Sequence, residues 1–418
     1  MAQVDVSSVV SGPVANQLEK FFAVRVQSMH ASEIRELLKL TQQPEIISFA
    51  GGLPNPEAFP VEEIRKITDE ILQSQGKQAL QYGTTEGLPR MREEIAKWVT
   101  RLGIESTVDN NIVVQGSQQG LDIVSKMFLD PGDNIIVGSP TYVGGSNAFE
   151  AYQGVMHQVE VDEDGMNMDK LEDKLKELNK KDIHPKFAYV VPTFQNPSGA
   201  LMPEDRRKRM IELSNEYNFL IIEDSPYGEI QFEGGPIKPI KAYDDGGRVL
   251  YLGTFSKILS PGLRLAYIIA DENIINKMII AKQAVDLCSN TLAQYIGAEA
   301  LTRGILKPHI DKIRALYKHK WELMRKGLNE HFPKEHVKWV EAKGGMFTWV
   351  TVPDYLDSSD LLKVAIEQHK VAYVIGAAFY PDRSVKNTMR VSFSYPTDEQ
   401  IEIGTERLGT VIKDAIKE

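Results

Sequence analysis

Residues 252–267 read LGTFSKILSPGLRLAY. Two apolar runs flank a segment that holds Lys257, then Ser260, Pro261 and Gly262, then Arg264. A strand buried on both faces tolerates charge only at its ends, so these two cations mark the edge of something. Outward from this stretch the same pattern recurs. Short apolar runs NIVVQ (111–115), NIIVGSP (134–140), FAYVVPTF (187–194), FLIIED (219–224), RVLYLGTF (248–255) and LAYIIA (265–270) read as strands. Between them lie LDIVSKMFL (121–129), MDKLEDKLKELNKK (168–181) and PEDRRKRMIELSNEYN (203–218), where apolar residues return every three or four positions, the spacing of an amphipathic helix. Nearly all-apolar strands interleaved with such helices predict a doubly wound α/β domain with a mostly parallel sheet.

The chain has 418 residues, 42% of them hydrophobic, which is more than one ordinary domain needs. Residues 1–64 are read as an N-terminal arm and part of a smaller domain, 65–315 as the large domain, and 316–418 as the C-terminal small domain. The transition falls in KPHIDKIRALYKHKWELMRKGLNEHF (307–332), a long helix whose apolar face carries Ile310, Ile313, Leu316, Tyr317, Met324 and Leu328. Beyond it GGMFTWVTV (344–352) and TMRVSFSY (388–395) alternate like half-buried strands, and the chain closes on a helical stretch, which makes the small domain α+β.

The formal charge of −10, with basic residues scattered along the chain, leaves no electrostatic footprint for nucleic acid. A small anionic ligand therefore needs local cations. The single cysteine, Cys288, rules out an internal disulfide framework, fits a reducing compartment, and reads as a small buried apolar side chain. The N-terminal segment lacks the pattern of a secretory signal, and no apolar run approaches the roughly 20 residues of a membrane span, so a cytoplasmic protein with no membrane partner is expected. The eight histidines, His309 and His319 among them, show no metal-ligand spacing, and no metal is expected.

In open α/β sheets ligands sit beyond the carboxyl ends of the strands. Those positions are chemically rich here. After NIVVQ comes GSQQG, with Ser117, Gln118 and Gln119 opening a helix whose N–H groups and dipole favour an anion. Tyr142 follows NIIVGSP, Asn196 follows FAYVVPTF, Asp224 and Tyr227 close FLIIED in EDSPYGE, and Thr254, Ser256 and Lys257 close RVLYLGTF. Singly each has a plainer reading as helix cap, turn or solvated charge. Five strand ends together are better explained by one site.

These residues resemble the pyridoxal-phosphate (PLP) enzymes of the aspartate aminotransferase fold, fold type I. ISFAGGLPNPEAFP, LQYGTTEGLPRMREEIA, GSQQGLD, PTFQNPSG, EDSPYGEI and GTFSKILSPGLRLAY are similar to the branch of kynurenine, 2-aminoadipate and archaeal aromatic aminotransferases, over almost the whole chain after its first twenty or so residues. The resemblance implies a large domain with a mixed, mostly parallel, seven-stranded-type sheet wrapped by helices. It assigns Lys257 as the lysine that carries PLP and moves the proton between substrate Cα and cofactor C4′, a task that a desolvated, neutral amine can perform. Asp224 is implied as the carboxylate that keeps the pyridine nitrogen protonated. Tyr227 and Asn196 are implied at the phenolic oxygen O3′, Tyr142 on the ring face, and Ser117, Gln118, Thr254, Ser256 and Arg264 at the phosphate.

By the same resemblance Tyr82 reaches the phosphate of a neighbouring subunit, which implies a homodimer with shared active sites. Arg390, in NTMRVSFSY, matches the family's arginine for the substrate carboxylate, with Asn196 and Gly52 beside it. Arg25, in the stretch FFAVRVQSMHASEIRELL (21–38), belongs to a segment that acts as a lid in this branch. The implied reaction is ping-pong transfer of the α-amino group from an aromatic or other bulky amino acid, with 2-aminoadipate and kynurenine as candidates, to 2-oxoglutarate.

Competing motifs fail. Lys257 follows serine and precedes isoleucine, which is no phosphate loop of the NTPase type, and no dinucleotide glycine fingerprint follows a strand. A PLP lyase or decarboxylase on the same fold stays open as an alternative. A PLP-binding transcription regulator is the other, although fewer than about fifty residues precede AGGLPNP, too few for an added winged-helix domain of ordinary size.

Overall fold

The computed structural model describes residues 19–27, 29 and 43–416, so part of the stretch 21–38 read as a lid lies outside the described residues. Strands are β1 (Ile47–Ser48), β2 (Asn111–Val114), β3 (Asn134–Ser139), β4 (Val155–Asp162), β5 (Gly165–Met166), β6 (Phe187–Val190) and β7 (Leu220–Ser225). Further along come β8 (Val249–Thr254), β9 (Ala266–Ile269), β10 (Lys338–Trp339), β11 (Phe347–Thr351), β12 (Val371–Ala372), β13 (Val374–Ile375) and β14 (Thr388–Ser392).

Eight strands form the central sheet in the order β2-β9-β8-β7-β6-β3-β4-β5. The run β8-β7-β6-β3-β4 is parallel throughout, while β9 lies antiparallel between β2 and β8 and β5 lies antiparallel beside β4. All six apolar runs read from the sequence are strands of this sheet, and its mixed, mostly parallel character is as expected.

Period-two alternation explains why they pack from both sides. Ile135, Val137, Tyr189, Ile222, Leu250 and Leu252 join the main core on one face. Their neighbours Ile136, Ala188, Val190, Ile221 and Val249 join a second cluster on the other, under helices α1 (Met168–Asn179) and α2 (Glu204–Tyr217). Strand β4 had no apolar signature, and its place near the edge shows why: most of its residues are only partly covered, so polar side chains cost little there.

The remaining strands form a four-stranded antiparallel sheet, β10-β11-β14-β13, and a parallel pair of β1 with β12. That pair ties the segment at 47–48 to the C-terminal region. The long helix Leu306–His331 buries Ile310, Ile313, Tyr317, Met324 and Leu328 on its expected face. The helix Asp398–Ala415 starts at a capping box in which Thr397 and Gln400 each accept the other's backbone N–H.

Two expectations need correction. Strands β11 and β14 are buried on both faces, because Val350, Met389 and Val391 join the main core while Trp349 packs with Ile46, Val374 and Phe379. Cys288 is only half-buried, since it sits in the turn after a helix and not in the core. Among the described residues, no helix is long and apolar enough to cross a membrane, and no cluster of three or more His, Cys, Asp and Glu side chains could hold a metal ion.

Candidate active site

Beyond the carboxyl ends of the parallel strands lies a cavity of about 630 Å³. Twelve of the fourteen residues singled out in the sequence line it: Ser117, Gln118, Tyr142, Asn196, Asp224, Tyr227, Thr254, Ser256, Lys257 and Arg264 from the region of the large sheet, joined by Gly52 and by Arg390 of β14. Tyr82 and Arg25 are not among them. The Tyr82 side chain is exposed, 77% of it open on this chain's surface. Arg25 is exposed on a short helical turn, and its charge acts on the Tyr152 phenol, opposing the rise that burial and Asp122 impose there.

Lys257 follows β8, half-buried at the cavity wall, and its Nζ donates to the Gly52 carbonyl at 2.8 Å. Burial brings its pKa down to about 8, and the cations Arg390 and Arg264 push the same way. A lysine so placed holds a substantial neutral fraction near pH 8, which ordinary lysines do not. Gly52 thus has a role beyond close approach: its carbonyl orients the amine.

Asp224 sits near the end of β7 and is 2% exposed. Tyr189, one strand away on β6, donates its phenolic O–H to Oδ2 at 2.9 Å, whereas Oδ1 is buried without a hydrogen-bond partner. Burial raises the carboxyl to about 7, and the Tyr189 hydrogen bond restrains that rise. Tyr189 was missed in the sequence, although one signal existed: a buried phenol in an otherwise apolar strand needs a partner. Tyr227 is buried too, and burial pushes its phenol well up, with a hydrogen bond to Asn196 working against that. Its ring meets Phe347 edge-on at 5.8 Å.

Arg390 is almost fully buried on β14. It donates from Nη1 to Asn196 Oδ1 at 2.8 Å and from Nη2 to the Ala50 carbonyl at 2.6 Å, and its guanidinium lies 4.3 Å from the Phe347 ring centre. Burial lowers its pKa to about 10, so it remains a cation at neutral pH. Among the described residues no carboxylate pairs with it. A buried cation lacking a counter-ion is costly unless an anion joins it, so the Arg390 guanidinium is a place where an anionic group of a ligand would be stabilised.

The helix Ser117–Phe128 begins at Gly116 without a side-chain cap. Gly116 has φ +80°, and a Cβ there would collide with the Arg264 guanidinium. Arg264 itself has φ +50° and donates to the Pro261 and Gln115 carbonyls at 3.2 and 3.4 Å. Ser117 Oγ is buried with no partner, while Thr254 Oγ1 and Ser256 Oγ bond each other at 2.9 Å. Gln118 differs in detail from the expectation: its side-chain amide is engaged by the Gly144 carbonyl at 2.7 Å.

The polar atoms therefore call for one elongated ligand. It must be anionic at the Ser117 and Arg264 end, must offer a hydrogen-bond donor to Asp224 Oδ1, and must bring an electrophilic carbon to Lys257. Pyridoxal phosphate meets all three demands, so the residues fit it. Site and sheet together define a PLP-dependent enzyme of fold type I. More narrowly, the profile of the aminotransferase class I and II family matches residues 45–408, and the chain belongs to that family.

The chain is 48% identical over 400 residues to the aromatic-amino-acid aminotransferase 1 of Thermococcus litoralis, covering 96% of this chain and 95% of that one. It is 38% identical over 388 residues to the 2-aminoadipate transaminase of Thermus thermophilus, covering 92% and 94%. The crystal structure of Pyrococcus horikoshii kynurenine aminotransferase, described in complex with PMP, superposes with a TM-score of 0.93 at 47% identity, over 97% of this chain and all of that one. The protein is a PLP-dependent aminotransferase, and these relatives do not favour the lyase or regulator alternatives.

Proposed function

We propose that this aminotransferase takes the α-amino group from aromatic and other bulky amino acids, kynurenine and 2-aminoadipate among the candidate donors, and delivers it to 2-oxoglutarate in a ping-pong cycle. The observation that carries the reading is Arg390, a buried cation without a carboxylate partner among the described residues, lining the same cavity as Lys257 and flanked by the rings of Phe347 and Phe379. The cavity wall continues through Tyr142, Val143, Val191 and Tyr227, which suits a large side chain better than a small polar one. The names of the relatives point to the same donors.

Bound PLP supplies an electron sink for the charge that develops at the substrate Cα. Around it each side chain has a task. Arg390 grips the substrate carboxylate with paired donors and, through Asn196, links that grip to Tyr227 at O3′. Asp224, whose Oδ1 is buried without a partner, would accept from the pyridine nitrogen and keep a proton there. Lys257 Nζ, held by Gly52 and with its pKa lowered, would take the substrate Cα proton and return it at C4′ of the cofactor. Ser117, Gln118, Thr254, Ser256 and Arg264 would hold the phosphate, and Tyr142 would cover the ring. The exposed Tyr82 serves the phosphate of a second copy, so the working form is a homodimer, in keeping with a cytoplasmic metabolic enzyme.

The test is a comparison of kcat/KM for phenylalanine, tyrosine, kynurenine, 2-aminoadipate, alanine and aspartate with 2-oxoglutarate as acceptor. The bulky donors should lead. Alanine or aspartate leading by tenfold would overturn the donor assignment.

A further inference from the structure

Behind the anion cradle lies a charged network that no step above uses. Asp286, the last residue of the helix Glu272–Asp286, accepts from three side chains: Gln115 Nε2 at 3.0 Å, Gln119 Nε2 at 2.8 Å and Lys282 Nζ at 2.9 Å. Lys282, one turn earlier on that helix, is fully buried. The two glutamines bracket the turn at Gly116 and Ser117, and they are also joined to each other, since the Gln115 backbone N–H donates to Gln119 Oε1 at 2.7 Å. On its other side Gln115 presents its carbonyl to Arg264 Nη2. Burial alone would raise the Asp286 carboxyl, but the hydrogen bonds from Gln119, Gln115 and Lys282 outweigh it and hold the group ionised at neutral pH.

We propose that Lys282 and Asp286 are positioning residues that preset the turn Gln115–Gln119 and, through the Gln115 carbonyl, the Arg264 guanidinium, so that the cradle is already shaped for a dianionic phosphate. This rests on the assignment of Ser117 and Arg264 to the cofactor phosphate. The logic is geometric. Ser117 needs its Oγ and backbone held toward the cavity, Gly116 at φ +80° leaves the turn free to adopt other conformations, and a freely moving loop would lose order each time it met phosphate. Two amide tethers to one fixed carboxylate remove that freedom. The carboxylate is fixed in turn because its second oxygen faces a buried ammonium on the same helix face. Neither Lys282 nor Asp286 lines the cavity, so neither is a catalytic residue.

Asp286→Asn is the sharpest probe. Whichever way the new amide turns, its NH2 faces donors: the two glutamine amides in one orientation, the Lys282 ammonium in the other. The measurement is equilibrium binding to the cofactor-free enzyme of two probes, PLP and pyridoxal, which share the ring and aldehyde and differ only in the phosphate. The Kd for PLP should rise about ten- to a hundredfold, the usual effect of removing the partner behind an ion-binding group, while the Kd for pyridoxal should change less than about threefold. If Asp286→Asn does not fold, Gln119→Met removes one tether and leaves the Lys282 and Asp286 pair intact, with the same selective loss expected in smaller measure. Equal weakening of both probes would mean general damage to the site and would overturn the proposal, as would unchanged PLP binding. Should the unmodified protein itself bind PLP no better than pyridoxal, the phosphate assignment fails first.

Discussion

Tyr189→Phe isolates one hydrogen bond. The ring keeps its place, packed edge-on against Phe149 at 5.2 Å, and only the O–H that donates to Asp224 Oδ2 is lost. A hydrogen bond to a charged acceptor contributes about 1.5–3 kcal/mol net, and 1.36 kcal/mol corresponds to a tenfold change in an ionisation constant. The Asp224 carboxyl, already lifted to about 7 by burial, should therefore release its proton about ten- to a hundredfold less readily. In the cofactor-free protein at pH 7 the ionised fraction would fall from about half to below roughly a tenth, and a protonated Asp224 is a poorer acceptor for a ring N–H, so PLP binding would weaken. The assay is the Kd for PLP of the cofactor-free protein, parent and variant, from pH 6 to 10. The acid limb of the variant's profile should lie at higher pH, with near-normal values regained at the alkaline end. Profiles that superpose on the parent, or a loss of the same size at every pH, would refute the reasoning.

Two further outcomes follow from the same geometry. In the cofactor-free protein the folded Asp224 binds its proton up to about pH 7, whereas the unfolded chain releases it near 3.8. Its contribution to stability is thus present at low pH and is lost as pH rises from about 4 to about 7, by roughly 4 kcal/mol, with no further change above. Denaturant unfolding across that range should show this slope, and Asp224→Asn should lack it. Arg390→Lys keeps a cation but gives up the paired donors, so KM for the amino acid should rise about ten- to a hundredfold while the Kd for PLP stays within about twofold.

Much of the site was legible because strand ends carry chemistry that core positions cannot. Lys257, Asp224, Asn196 and Ser117 stand out as polar residues following runs that are otherwise apolar, and the topology gathers them at one edge of the sheet. The partners behind them were not legible. Tyr189 reaches Asp224 across neighbouring strands, and Gln115 meets Asp286 across 171 residues of chain; periodicity contains no information about either contact. The strand β4 escaped for a different reason, its near-edge position, which removes the pressure for apolar residues that makes an inner strand visible. Tyr82 and Arg25 rested on resemblance alone, and the single chain does not bring them to the cavity.

The central claim is that Lys257 moves a proton at the substrate Cα within a site that Asp224 and Arg390 have oriented. The most direct measurement is the visible spectrum of the cofactor-loaded protein as phenylalanine and then 2-oxoglutarate are added, run in parallel on Lys257→Ala. The parent protein should lose its visible band with the amino acid and recover it with the oxo acid, and the variant should fail to cycle on the same timescale. A variant that cycles at the parent's rate, or a parent band that no amino acid removes reversibly, would contradict the account.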